Sequence, residues 1–179
     1  MKKNSIFKII FFLLIIIFSQ PSFCQKNYVD KVNLLNDKGK KDGYWVEDRG
    51  NYGKVELYYK EGIKSGIFKR YSKQGKLLSF GEYKNDIMSG IWYYFGDKGH
   101  LMSINKLFSI NIDSVLIDTG KKYKPRYKCY SISFYPNGNI KEEGFWLWDD
   151  DPLLDTSFEF GEWKYYNEYG KLMEIKNFK

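Results

Sequence analysis

The sequence predicts an all-β protein made of tandem antiparallel β-hairpins. Three observations carry this: a Gly/aromatic motif recurring at a fixed distance, turn residues between β-prone runs, and no run with a sustained helical period. The motif reads GIFKRYSKQG from Gly66 to Gly75, GIWYYFGDKG from Gly90 to Gly99, and GEWKYYNEYG from Gly161 to Gly170. All are Gly-x-(Trp/Phe)-x-x-(Tyr/Phe)-x-x-x-Gly, with the glycines nine positions apart. Gly43-Tyr44-Trp45 opens a further copy 23 residues before Gly66, and Gly90 follows Gly66 by 24. Such a spacing marks one supersecondary unit repeated along the chain.

The second half of each unit recurs as well. Tyr83, Trp146 and Phe178 each stand eight residues beyond a turn glycine, Gly75, Gly138 and Gly170, while Leu107 holds that place after Gly99. Two interruptions follow from the register. Gly99 to Gly138 is one period of 24 plus 15, and Gly138 to Gly170 is one period plus 8. The expected inserts therefore lie within about Asn105 to Lys128 and Leu147 to Ser157. Restoring the period puts Cys129 where Gly66 and Gly90 stand, which makes it a degenerate repeat position.

Each unit predicts an aromatic strand, a turn such as Pro136-Asn137-Gly138, and a second strand. Proline fixes its own φ, and Asn-Gly accepts positive φ, so the turn has a mechanism. Trp92 and Phe95 are three apart, so a regular strand sends them to opposite faces; either a bulge intervenes or both faces carry aromatics. Trp45, Phe68, Trp92, Trp146 and Trp163 are expected to form a ladder, because a repeat buries its apolar face only against its neighbours. Gly43, Gly66, Tyr71, Gly75, Gly90, Gly99, Gly138, Gly161 and Gly170 are structural on the same reasoning. Tyr, Phe and Trp make up 20% of the chain, and they suit strands.

The copies resemble the MORN-type repeat in its variant bacterial form. The matching residues are Gly66-Ile67-Phe68-Lys69-Arg70-Tyr71 through Gly75-Lys76-Leu77, then Tyr83, and the Asn36 to Trp45 preamble is similar to the way such proteins begin. The resemblance covers about Asn36 to Phe178, less the inserts. It implies an elongated, single-layer antiparallel meander sheet. It also brings an association with YwqK-type antitoxins, and, for eukaryotic MORN proteins, with scaffolding and lipid contact. A neutraliser of a cytoplasmic toxin has no use for an export signal, and this chain begins like an exported one.

That start has Lys2, Lys3 and Lys8, then the ten-residue apolar run Ile9 to Phe18, then Ser22-Phe23-Cys24. The order is that of a secretory signal, and the run is shorter than the roughly 20 residues of a membrane span. Residues 1–24 are read as the signal peptide, 25–35 as a linker, and 36–179 as the repeat domain. Cleavage between Cys24 and Gln25 is favoured over acylation of Cys24, since Phe23 is larger than the residue that normally precedes a lipidated cysteine. Only an acylated Cys24 would place the domain on a membrane. Loss of the three lysines takes the formal charge from +7 to +4, too mild and too mixed with acids to point to nucleic acid. Cys129 is then the single thiol, and no intramolecular disulfide is possible.

Catalytic and metal chemistry find little support in the sequence. His100 is the only histidine and follows a turn glycine, with no partner suggested for general base work. His100 and Cys129 have no spacing that suggests a nucleophile and base. Two N/S ligands fall short of a zinc site, consecutive Asp149, Asp150 and Asp151 do not converge on calcium, and no phosphate loop is present. No cofactor and no catalysis are expected. The expected function is an exported scaffold that binds another protein or an envelope polymer, with an antitoxin or immunity-like role toward an exported toxin as the alternative. Trp148 is the tryptophan outside the repeat positions, so Trp148, Asp149, Asp150 and Leu153 of the second insert are the candidate contact residues.

Overall fold

The computed structural model describes residues 32–116, 120–149 and 157–179. The signal segment, most of the linker, Asp150 and Leu153 lie outside the described residues. Among the described residues there are thirteen strands: β1 (Leu34–Leu35), β2 (Lys41–Asp48), β3 (Lys54–Lys60), β4 (Ile63–Tyr71), β5 (Leu77–Lys84), β6 (Ile87–Phe95), β7 (Leu101–Ile110), β8 (Val115–Leu116), β9 (Lys122–Tyr123), β10 (Tyr127–Phe134), β11 (Ile140–Trp148), β12 (Ser157–Tyr166) and β13 (Leu172–Phe178). Eleven of them form one open antiparallel meander, in chain order from β1 to β7 and then β10 to β13. The remaining pair, β8 and β9, makes a small hairpin within the first insert. Among the described residues there is no α-helix, only a 3-10 turn at Gly50–Tyr52.

The two ends of the sheet differ. At one end the turns share a pattern: Gly75 donates to Ser72 O, Gly99 to Gly96 O, Gly138 to Tyr135 O and Gly170 to Asn167 O, at 2.7–2.9 Å. The donating glycines have φ between 79° and 89°, where a side chain would be strained. Where the first turn residue is polar, its side chain also accepts from the backbone; Asn167 Oδ1 takes the N–H groups of Tyr169 and Lys171. The opposite end carries the two-residue turns Glu61-Gly62 and Asn85-Asp86, all with positive φ. Both inserts replace turns at this second end. They are shorter than their sequence ranges, because β7 runs on to Ile110, β10 begins at Tyr127, and β11 runs to Trp148.

The alternation of side chains settles the question raised by Trp92 and Phe95. All five tryptophans fall on one face, as the pairings Trp45↔Leu57, Trp92↔Asn105, Cys129↔Trp146 and Tyr127↔Trp148 and the Trp146–Trp163 ring contact require. The tyrosines three positions on point the other way: Tyr71 and Tyr166 donate to Glu56 and Glu143 on the opposite face. Both faces therefore carry aromatics. Irregularities are present too: one precedes the tryptophan, and a second, with its extra residue on the partner strand, falls between Tyr94 and Phe95. Gly90, Ile91 and Trp92 face the single residue Gly81, and Gly161, Glu162 and Trp163 face Gly144.

That bulge fixes the packing of the core. A Cβ on Gly81 would overlap the indole of Trp92, and one on Gly144 would overlap that of Trp163. Each indole lies flat on the facing glycine and donates its Nε1–H across the strand, Trp92 to Glu82 O at 3.1 Å and Trp163 to Phe145 O at 3.0 Å. Trp92 and Trp163 are 2% and 1% exposed, so in a single-layer sheet these rings supply much of the buried area. In the copy with the smaller Phe68, the facing residue is Leu57, itself buried. Ring size and the residue beneath it vary together.

The rule predicts that Gly81→Ala or Gly144→Ala lowers stability in urea unfolding by about 1–3 kcal/mol, the usual cost of overpacking. Trp92→Phe is expected to recover part of the loss at Gly81, as the Leu57–Phe68 pair does naturally. No recovery would count against the flat packing as the cause.

Candidate functional site

One cross-sheet row on the tryptophan face runs Phe68, Gly81, Trp92, Asn105, Ser131, Gly144, Trp163. In register, Asn105 takes the place of a glycine and Ser131 the place of a ring. The row therefore has no aromatic between Trp92 and Trp163. Cys129, two residues before Ser131, is not among the positive-φ residues, unlike Gly66, Gly90 and Gly161. The bulge moves across to β7 instead: Leu107 and Phe108 oppose Cys129, and Leu107 adopts φ 58°. The shift turns Phe108 onto the tryptophan face, 6.5 Å from Trp92 and 6.0 Å edge-on to Trp148. Trp148 in turn lies 5.5 Å from Tyr127 at 31°. Phe108 and Trp148 thus carry the ring contacts past the gap, by a route displaced toward the insert end.

Two adjoining cavities flank this bridge and share Met88, Phe108 and Trp148. The smaller, about 130 Å³, opens near the Asn85-Asp86 turn between Lys64, Asp86, Tyr83 and Tyr127. The larger, about 300 Å³, lies over Asn105 and Cys129 and is walled by Tyr94, Trp146 and the exposed Ser157. Its interior is electrically quiet. Burial pushes the Cys129 thiol up to about 12 and holds the Tyr94 phenol well above its ordinary range, so both are neutral at physiological pH. Asn105 Oδ1 is buried and accepts no hydrogen bond among the described residues. Charge lies on the smaller cavity instead, where the Lys64 ammonium sits 5.0 Å over the Tyr83 ring and Asp86 Oδ1 accepts the Lys64 backbone N–H at 2.8 Å.

The structure places Trp148 at the last position of β11, paired with Tyr127 and Ser157, inside the ring network rather than out on a loop. Asp149 accepts from the Tyr123 hydroxyl at 2.9 Å, and Tyr123 packs 5.9 Å from Phe158, the register partner of the fully buried Leu147. The first insert is thus held against the flanks of the second. His100 is far from Cys129: its imidazole occupies the space a Gly96 side chain would need, in the turn at the other end of the sheet. Among the described residues no group of three or more His, Cys, Asp or Glu side chains is arranged to hold a metal. Met88, Asn105, Phe108 and Tyr127 were not singled out by sequence. The signal for Asn105 was there: it follows Gly99 by six residues, as Gly81 follows Gly75 and Gly144 follows Gly138.

Neither a protein-family model nor a curated protein matches the chain. The geometry of the site therefore carries the functional argument.

Cys129, 1% exposed and with its thiol shifted upward, is expected to react with a thiol reagent at pH 8 at least tenfold more slowly in the folded protein than in urea. Equal rates in the two states would show that the thiol is open to solvent.

Proposed function

We propose that this chain is an exported binding scaffold, without catalysis, whose contact surface is the cavity-bearing part of the tryptophan face. The observation that carries the reading is the pair of adjoining cavities around Trp148, set where both inserts leave the sheet. Pockets that are mainly apolar with a few placed polar groups are the usual form of a binding site. A further cavity of about 400 Å³ lies on the same face between Val55, Leu57, Phe68 and Tyr83, so what sets the part around Trp148 apart is that both inserts leave the sheet there. The separation of His100 from Cys129 and the neutral thiol favour binding over turnover. The basic and apolar start of the sequence supports export, and the partner is then a protein or a polymer of the cell envelope. The MORN-variant resemblance agrees with a scaffold role and rests on the repeat residues alone.

Trp148→Ala is expected to reduce partner capture from an envelope extract by tenfold or more, in keeping with the weight that buried tryptophans carry in interfaces. Tyr169→Ala, at a residue 91% exposed in a turn at the other end, serves as the control and is expected to capture normally. Unchanged capture by a folded Trp148→Ala protein would remove the site. Intact mass of the mature protein is expected to match a chain starting at Gln25, and a lipid adduct on Cys24 would convert release into anchoring.

A further inference from the structure

We infer that the cavity of about 400 Å³ over β3, β4 and β5 is a second site on the tryptophan face, one that takes an acidic sugar: a pyranose ring bearing a carboxylate, as one residue of an envelope polysaccharide. The inference goes beyond the scaffold reading, which is built on the cavities around Trp148.

Charge is the first support. Arg49, Lys64 and Arg70 line the cavity, and among the described residues no carboxylate does. Arg70 pairs with the buried Val55 as Phe68 pairs with Leu57, which puts its side chain on the tryptophan face. The acid that touches this set, Glu47, is already shared: it accepts from Lys41 at 2.6 Å, from Arg49 at 2.8 Å and from the Tyr59 hydroxyl at 3.1 Å. Among the described residues the Arg70 guanidinium has no hydrogen bond or ion pair, and the Lys64 ammonium has only the Tyr83 ring. A cleft lined by one sign of charge concentrates the other, and the planar fork of arginine takes both oxygens of a carboxylate. The rings are the second support. Phe68 and Tyr83 meet edge to face at 5.6 Å, and Tyr52 joins them on the cavity lining although it is 77% exposed. Tyr52 and Arg49 share one turn, closed by Tyr52 N–H to Arg49 O and Gly53 N–H to Gly50 O. Gly53 has no space for a Cβ beside Tyr71 O, so this turn is pressed onto the end of β4, next to Arg70. A pyranose offers a C–H face to such rings and a carboxylate edge to the cations. An acidic side chain of a protein would use the cations and leave the rings uncovered. A nucleic-acid strand carries charge on every unit, whereas the cations end at Lys64. Past it, the adjoining smaller cavity shares Lys64 and Tyr83 and continues with Asp86, Met88, Phe108 and Trp148. An acidic sugar followed by a neutral one matches that change.

The test is ligand-observed NMR on the full mature chain with methyl glucuronoside, methyl glucoside, acetate, inorganic phosphate and N-acetylglutamate amide. The glucuronoside is expected to bind about tenfold more tightly than the glucoside, which differs from it only in the missing carboxylate. Acetate, phosphate and the glutamate amide are expected to compete about tenfold more weakly than the glucuronoside, because they leave the rings uncovered. Arg70→Gln is expected to erase the preference for the acid and to leave the glucoside as it was. Tyr52→Ala is expected to weaken both sugars alike. Both positions are exposed, and an unchanged melting temperature checks that both variants fold. Equal binding of the two sugars, or binding of neither, would overturn the inference, as would a preference for the acid that survives Arg70→Gln. Acetate or phosphate competing as well as the glucuronoside would reduce the cavity to a plain anion site. A glutamate amide that matches the glucuronoside would overturn the polysaccharide as the source. The scaffold reading fails separately: it turns on partner capture by Trp148→Ala, whereas this site is read with small sugars and no partner.

Discussion

The structure depends on an indole lying flat on the glycine of the next strand. A single-layer sheet has no second layer to cover its apolar face, so each ring must be covered by its neighbours. A three-against-one bulge beginning at a positive-φ glycine re-aims the strand, and the tryptophan two residues on drops onto a position that has no side chain. The indole N–H finds a carbonyl across the strand, and the backbone polar group and the ring are satisfied together. Glycine is thus required twice per unit, once for its dihedral freedom and once for its missing Cβ. The second requirement explains why a copy with phenylalanine, Phe68, accepts Leu57 beneath it.

The same constraint explains the degenerate copy. Once Cys129 replaces the bulge glycine, that residue no longer takes a left-handed conformation, and the irregularity passes to Leu107 and Phe108 on the facing strand. Ser131 and Asn105 then stand where ring and glycine belong, and the ladder is carried instead by Phe108, Trp148 and Tyr127. A local change of three residues thereby accompanies the cavity over Asn105 and Cys129, one of several along this face. Both inserts leave the sheet at the end that carries the two-residue turns, beside this cavity.

Much of the fold was legible in advance. The period, the turn glycines and the aromatic spacing are local in the chain, and they led directly to the repeated hairpins and to the two interruptions. The alternation of strand side chains sets Trp92 and Phe95 on opposite faces only if no bulge intervenes, and the sequence left that choice open. The site was only partly legible. Trp148 stood out by its place outside the repeat register, whereas Phe108 did not, because its exposure to the tryptophan face arises from a bulge that no local pattern announces. Tyr127 and Met88 reach the site through pairing across strands, which the linear order does not display.

The sequence by itself determined an antiparallel meander of repeated hairpins, its two interruptions and its weak copy, because those features depend on dihedral preference and on spacing along one chain. Only the tertiary structure decided which face holds the five tryptophans, which glycines lie under rings, and that Asn105 Oδ1 is left without a donor beside a cavity. Those outcomes depend on register between strands and on the volume left when one ring is missing. Volume is a property of several strands at once, and no single stretch of sequence contains it.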